Sequence, residues 1–224
     1  MSPQITVSVL GEVRSVDTGT TGADVFASDR SVLVVKVNGD LRDLDAPLAD
    51  GDVVEPVRAD GEEGLAVLRH SCTHVMAQAV QRLFPGTGLA IGPAIADGFY
   101  YDFDPKESFT PGDLAKIEKE MEAIIKADLP FERFELSRPE ALDFFRDAGQ
   151  KYKVELIEDL PPDVPLSCYR QGEFTDLCMG PHVPSTGRLK SVKLMNLAGA
   201  YWRGSEKNKM LQRIYGTSFP KKSL

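Results

Sequence analysis

The side chains with the greatest chemical versatility in this chain are concentrated in two short segments. All three histidines and two of the three cysteines lie in His70-Ser71-Cys72-Thr73-His74 and Cys178-Met179-Gly180-Pro181-His182. Three imidazoles and a thiol can hold a metal ion, or they can move protons and position water around an ester. Both kinds of chemistry stay open at this point.

A helix is predicted to carry the first histidine pair. Apolar residues recur at helical spacing between residues 65 and 84, namely Leu68, Cys72, Val75, Ala79 and Leu83. His70 and His74 are four residues apart, so their imidazoles lie on one face of that helix, away from the apolar stripe. We therefore expect an exposed face, and two solvated histidines without a role are the alternative. In the second segment, Gly180 and Pro181 predict a tight turn between Cys178 and His182.

The spacing of the first pair alone would be a weak signal. The pattern His-x-x-x-His also occurs in zinc metalloproteases, where a Glu follows the first histidine as general base. Here Ser71 follows His70, which argues against a zinc hydrolase that acts on peptides.

Together, the two motifs and their surroundings resemble the tRNA-editing domain shared by threonyl- and alanyl-tRNA synthetases, and the threonyl type in particular. The resemblance covers residues 70–104, which begin HSCTHVMAQAV and end DGFYYDFD, and residues 175–220, which begin TDLCMGPHVP. It implies proofreading hydrolysis of serine mischarged onto tRNA(Thr), with the seryl-adenosine end of that tRNA as substrate. The catalytic residues that it implies are His70, His74, Lys153, Cys178 and His182.

Three more residues are candidates for binding the substrate. Residues 98–103 read as a strand that borders the pocket in the family, so the resemblance implies Tyr100 or Tyr101, and spacing does not choose between them. Asp176 is expected to bind the substrate ammonium, and an ordinary turn aspartate is its alternative. Lys151 competes with Lys153 for the lysine position.

Hydrolysis of the ester is predicted to need no metal. A histidine with an unperturbed pKa of ~6.5 is largely neutral at pH 7 and can accept a proton from water. Lys153 can stabilise the oxyanion that develops. If zinc is present, its ligands are His70, His74, Cys178 and His182, the set that the alanyl relatives are understood to use for zinc.

Composition describes an ordinary globular protein. Hydrophobic residues make up 42% of the 224 residues and charged residues 27%, enough for one large or two small domains. No apolar run approaches the ~20 residues of a membrane helix, and the start of the chain lacks a secretory signal. An odd number of cysteines fits a reducing compartment, so we expect a cytoplasmic protein without a membrane partner.

A basic segment near the end of the chain predicts tRNA contact. The net charge is −8, but residues 188–222 contain nine Lys or Arg and one acid. A solvated surface is the alternative, and a non-catalytic tRNA-binding module is the runner-up function. The predicted phosphate contacts are Arg188, Lys190, Lys193, Arg203, Lys207, Lys209 and Arg213.

The predicted fold class is α+β. Residues 1–60 read as a small β-rich module with a primed hairpin turn at Asn38-Gly39, and residues 60–64 as a linker. This module resembles the small ubiquitin-like β-grasp (TGS) domain of bacterial threonyl-tRNA synthetases. Residues 64–224 read as an editing domain, with capped helices from Thr110 and Ser137, short antiparallel strands after Val164, and Cys168 in the core. Nothing resembles an aminoacylation or anticodon-binding domain, so we interpret the chain as the N-terminal part of an enzyme that dimerises through its missing catalytic domain.

Overall fold

The chain folds into two units, and the first contains a β-sheet rich in valine. A computed structural model describes residues 3–221. Contacts among these residues group 3–68 with 180–184 and, separately, 69–179 with 185–221. The elements of the first unit are β1 (Gln4–Val9), β2 (Glu12–Asp17), α1 (Gly22–Val25), β3 (Val32–Val37), β4 (Asp40–Asp43) and β5 (Val53–Arg58).

The strand order in this unit is β2-β1-β5-β3-β4. Strands β1 and β5 are parallel, and the other pairs are antiparallel. Val7, Val9, Val35, Val37 and Val54 are buried in one core cluster, because alternate side chains of each strand point to the same face.

Local sequence explains the turns of the first unit. Asn38 and Gly39 have φ values of 53° and 93°, which confirms the predicted two-residue primed turn between β3 and β4. Helix α1 is a single turn closed by a Thr21–Asp24 capping box. The Gly180–Pro181 bond is cis, at the position of the predicted tight turn.

A long helix, α2 (Glu62–Leu83), precedes the strands and helices of the second unit. It begins inside the predicted linker, so only residues 60 and 61 of that linker are non-helical. The elements that follow are β6 (Gly88–Leu89), β7 (Ala94–Ile95), β8 (Gly98–Asp104), α3 (Pro111–Lys126), β9 (Glu132–Leu136), α4 (Arg138–Asp147), α5 (Lys151–Asp159), β10 (Leu166–Gln171), β11 (Phe174–Leu177), β12 (Ser191–Tyr201) and β13 (Met210–Phe219).

These strands form two antiparallel sheets, which confirms the α+β class. One sheet has the order β12-β13-β8-β6, with β7 also paired to β8, and the other has the order β11-β10-β9. The prediction of short strands is wrong for residues 191–201, which form one continuous strand. Its pairing with β13 is irregular between Leu194 and Asn196, where a β-bulge lets the long strand continue past the break in register.

Both predicted helix starts are confirmed. Thr110 with Asp113, and Ser137 with Glu140, form capping boxes at the starts of α3 and α4. Cys168 is buried in the core, as predicted. Among the residues that the structure describes, no helix combines the length and the apolar character needed to cross a membrane.

Candidate functional site

The histidine face of α2 is covered, contrary to the prediction of an exposed face. His74 is only 2% exposed, and its ring lies 6.3 Å from the ring of Phe131 and 6.0 Å from that of Phe174, centre to centre. The helix is therefore packed on its polar stripe as well as on its apolar one. Leu83, which was predicted in the apolar stripe, is 39% exposed near the end of the helix.

A thiol contacts the first histidine. The Nε2 atom of His70 lies 3.0 Å from the Sγ atom of Cys178. Strand β10 holds the cysteine in place, because the Cys178 N–H donates to the Ser167 carbonyl and the Ser167 hydroxyl donates to the Cys178 carbonyl. The rings of His70 and His74 meet edge to face with centres 5.5 Å apart, so the thiol and both imidazoles share one space.

Burial keeps both imidazoles neutral. It lowers the pKa of His74 to about 3 and also lowers the pKa of His70, and the nearby carboxylate of Asp176 only partly opposes this effect. A neutral imidazole has a lone pair that can accept a proton from water at pH 7.

A buried ion pair lies beside the histidines. The Nζ atom of Lys153, from α5, is 2.7 Å from Oδ1 of Asp176, from β11, and the two side chains are 4% and 3% exposed. The hydroxyl of Tyr101, from β8, donates to Oδ2 of the same carboxylate at 2.7 Å. Burial alone would raise the pKa of Asp176, but Lys153, His74 and Tyr101 outweigh it and the pKa is lowered. The carboxylate is ionised at neutral pH and holds an ammonium group inside the protein.

The alternation of β8 separates the two candidate tyrosines. Tyr101 points to the buried face and reaches Asp176, whereas Tyr100 lies on the opposite face, under the guanidinium of Arg213, 3.7 Å from its ring centre. The two candidate lysines, both on α5, differ in exposure and in partner. Lys151 is 59% exposed, with its Nζ 3.1 Å from Asp104, so only Lys153 contacts Asp176.

Gly92 is part of this site, and sequence reasoning missed it. Its backbone accepts a hydrogen bond from the His70 ring, and a Cβ atom at this position would lie 2.2 Å from the ring of Tyr101. Only glycine leaves room for the tyrosine there. The sequence Ile91-Gly92-Pro93 offered no signal beyond that of an ordinary loop.

Three side chains of the second unit could contribute to a metal site. The ligand atoms of His70, His74 and Cys178 lie within 4.8 Å of one another, whereas His182 belongs to the first unit, where its backbone N–H donates to Asp43. Zinc prefers nitrogen and sulfur ligands at about 2.0–2.3 Å in a tetrahedral arrangement, which places two ligands of one ion roughly 3.3–3.8 Å apart. The nitrogen and sulfur donors therefore suit zinc in their chemistry, and binding would draw the ligand atoms closer together.

The predicted phosphate contacts are mostly engaged with acids. Arg213 pairs with Asp102 at 2.7 Å, Lys193 with Glu118 at 2.8 Å, Lys209 with Asp104 at 2.5 Å and Arg203 with Asp159 at 2.5 Å, whereas Lys190 donates to the Gly187 carbonyl. Arg188 is half-buried, Lys207 is exposed, and Lys222 lies outside the described residues. A phosphate would have to displace a carboxylate from most of these cations.

Two comparisons with known proteins found similar sequences. Residues 166–215 match the family described as "Threonyl and Alanyl tRNA synthetase second additional domain". The threonine–tRNA ligase of Desulforamulus reducens is 60% identical over 219 residues, which is 96% of this chain and 34% of that protein. The enzyme of the same name from Carboxydothermus hydrogenoformans is 63% identical over 195 residues, 87% of this chain and 31% of that protein. The chain thus spans about a third of the length of these relatives.

Proposed function

Because this chain is homologous to the N-terminal part of threonyl-tRNA synthetase and carries its editing domain, we propose that it hydrolyses serine mischarged onto tRNA(Thr). Serine lacks one methyl group of threonine, and that contact is worth only about 1–3 kcal/mol in an amino-acid pocket. A second site that admits seryl esters and excludes threonyl esters by size removes the resulting errors.

The observation that carries this proposal is the pair of neutral imidazoles next to a buried ammonium. In the proposed reaction, His70 or His74 accepts a proton from water as the water oxygen bonds to the ester carbonyl carbon. The ammonium group of Lys153 faces the oxyanion that forms. Asp176 holds this ammonium group in place through the ion pair, and Tyr101 holds the Asp176 carboxylate through a hydrogen bond. The carbon–oxygen bond to the ribose then breaks, and the ribose oxygen takes the proton from the imidazolium.

The other predicted site residues keep narrower roles. Tyr101 is the tyrosine that this mechanism uses, and Tyr100 has none in it. Binding of the substrate ammonium by Asp176 stays a prediction, and it requires Lys153 to yield one carboxylate oxygen. Cys178 and His182 are proposed to orient water with the α2 histidines.

We propose that hydrolysis proceeds without a metal, because Lys153 already supplies a positive charge. If zinc is bound, His70, His74, Cys178 and His182 would hold it, and it would polarise water or the ester carbonyl as a Lewis acid.

The first unit is proposed to be a ubiquitin-like TGS domain at residues 1–60, before an editing domain at 64–224. Its sheet order, with parallel β1 and β5 at the centre, supports a β-grasp fold, and residues 1–60 contain no His or Cys. We assign it an accessory role, and we propose a cytoplasmic enzyme whose full-length form binds tRNA(Thr) and dimerises through its catalytic domain.

The decisive experiment incubates the chain with seryl-tRNA(Thr) and threonyl-tRNA(Thr) and follows the release of each amino acid. We expect serine to be released much faster than threonine. Equal rates would contradict selection by size, and no release with intact tRNA binding would favour the binding module.

A parallel incubation after chelator treatment, with elemental analysis of the protein, tests the metal. Hydrolysis should persist with far less than one zinc per chain. A chelator-sensitive zinc at one per chain would replace the metal-free mechanism and leave the substrate assignment intact.

A further inference from the structure

The polar stripe of α2 extends beyond the histidines. His70, His74, Gln78 and Arg82 follow one another at intervals of four residues and lie on one face of the helix. Gln78 is buried, and its Nε2 donates to the Gln171 carbonyl at 3.3 Å and to Glu173 Oε2 at 3.1 Å. This face of the helix is therefore joined to the turn between β10 and β11.

Gln171, the last residue of β10, lies beside His74. It is directly opposite Phe174 in the β10–β11 pair, so both side chains project from the same face of the sheet. The Phe174 ring contacts the His74 ring, with centres 6.0 Å apart at an interplanar angle of 79°. The Gln171 side chain also interacts with the His74 ring.

The burial of this carboxamide calls for an explanation. Gln171 is 0% exposed, and neither Oε1 nor Nε2 makes a well-formed hydrogen bond within the part of the chain that the structure describes. Leaving a buried polar group unsatisfied costs about 1–3 kcal/mol. An apolar residue of the same shape would avoid that cost, so stability alone does not account for glutamine here.

We propose that Gln171 is a positioning residue for His74, in which its Oε1 accepts the ring N–H and so fixes the tautomer that leaves the other ring nitrogen as proton acceptor. This role rests on the proposed function. Gln78 fixes the backbone from which Gln171 projects, and Gly172, with a φ of 56°, closes the turn next to Gln78.

The test compares the unaltered chain with Gln171→Met, which keeps the length of the side chain and removes the amide. The ¹⁵N chemical shifts of the His74 ring report its tautomer, and steady-state kinetics on seryl-tRNA(Thr) separate kcat from KM. We expect one tautomer in the unaltered chain and a mixture in Gln171→Met. The kcat should fall about tenfold and KM should stay within about twofold, because the lost interaction positions a proton acceptor and does not bind substrate.

Gln150→Met is the matched control. Gln150 is also buried, but its carboxamide accepts from Leu89 N–H and donates to the Thr87 carbonyl, in a structural role. This variant should melt at a lower temperature and keep the His74 tautomer and kcat. An unchanged tautomer and kcat in Gln171→Met would overturn the proposal, as would a tautomer mixture in the unaltered chain. The second of these results is measured on the unaltered chain, so it does not depend on whether a variant folds.

The proposed function and the positioning role of Gln171 can be contradicted independently of each other. If the unaltered chain releases no serine from tRNA, the proposed function is wrong, while the nitrogen shifts still show whether Gln171 fixes the imidazole. If serine is released and the tautomer is independent of Gln171, only the positioning role is lost.

Discussion

At the scale of single residues, the central feature is a lysine held inside the protein by one carboxylate. Lys153 and Asp176 are both buried, and Tyr101 uses the remaining carboxylate oxygen. Such a pair does not need to add net stability, because desolvation of both ions offsets their attraction, but the loss of one partner leaves a buried charge uncompensated. We interpret the pair as a device that presents an ammonium group without water around it.

The lysine pair on α5 tests this interpretation. Lys153→Met should reduce seryl-ester hydrolysis at least about 100-fold and lower the free energy of unfolding by roughly 3–5 kcal/mol, since Asp176 would lose its counter-ion. Lys151→Met removes an exposed ion pair worth at most about 1 kcal/mol and should leave hydrolysis unchanged. Urea titrations and deacylation assays on both variants are the measurements. Similar losses in the two would refute the assignment of Lys153.

The room that Gly92 leaves for Tyr101 gives a second prediction. Gly92→Ala places a Cβ 2.2 Å from the tyrosine ring, so we expect displacement of Tyr101 and a loss of about 1–3 kcal/mol with reduced hydrolysis. Gly112→Ala is the control, because a Cβ there would lie 3.7 Å from Thr110 Oγ1, at ordinary contact distance. Thermal unfolding of both variants measures the difference in stability. Equal melting temperatures would show that the loop at Gly92 shifts to accept a Cβ atom without a loss of stability.

At the scale of elements, α2 couples the stability of the second unit to pH. The pKa of His74 is about 3 in the folded chain and ~6.5 in the unfolded chain, so the unfolded state binds the extra proton between these values. The free energy of unfolding should therefore be fully developed above pH 6.5. It should fall by about 1.4 kcal/mol per pH unit below that value, with a further contribution from His70.

The pKa of Asp176 is lowered, so its contribution is lost only below pH ~4 and does not disturb this window. Urea unfolding at several pH values between 7.5 and 4.5 measures how the free energy of unfolding changes with pH. In His74→Gln this slope should be smaller by the contribution of one proton, about 1.4 kcal/mol per pH unit. A slope that persists in the variant would show that another group carries the dependence.

The elements that the sequence predicted well are those with local causes. The capping boxes at Thr110 and Ser137 and the Asn38-Gly39 turn depend on neighbouring residues, and all three are confirmed. The burial of His74 depends on Phe131 and Phe174, which are distant in sequence, so helical periodicity alone gave the wrong exposure. Likewise, the choice of Tyr101 over Tyr100 required the position of Asp176, which alternation within β8 does not contain.

At the scale of the whole molecule, the basic segment divides into structural and available cations. Lys207→Ala should weaken binding of tRNA(Thr). The slope of the logarithm of the binding constant against the logarithm of the salt concentration should fall by about 1, because an exposed lysine that contacts a phosphate releases one counter-ion from the tRNA. Arg213→Ala should instead lower the free energy of unfolding by roughly 1–3 kcal/mol, because it strips the buried carboxylate of Asp102. Binding measured across a salt series, together with urea unfolding, distinguishes the two. A change in the salt slope with Arg213→Ala in a fully stable protein would contradict this division.

The withdrawal of Lys153 and Asp176 from solvent also has a kinetic consequence. Mobile ions screen charges that they can surround, over about 8 Å at physiological ionic strength, and they act much less on a buried pair. Added salt should therefore hinder the arrival of a polyanion and leave the bond-breaking step nearly untouched. We therefore expect kcat to be nearly independent of ionic strength, whereas KM should rise as salt is added.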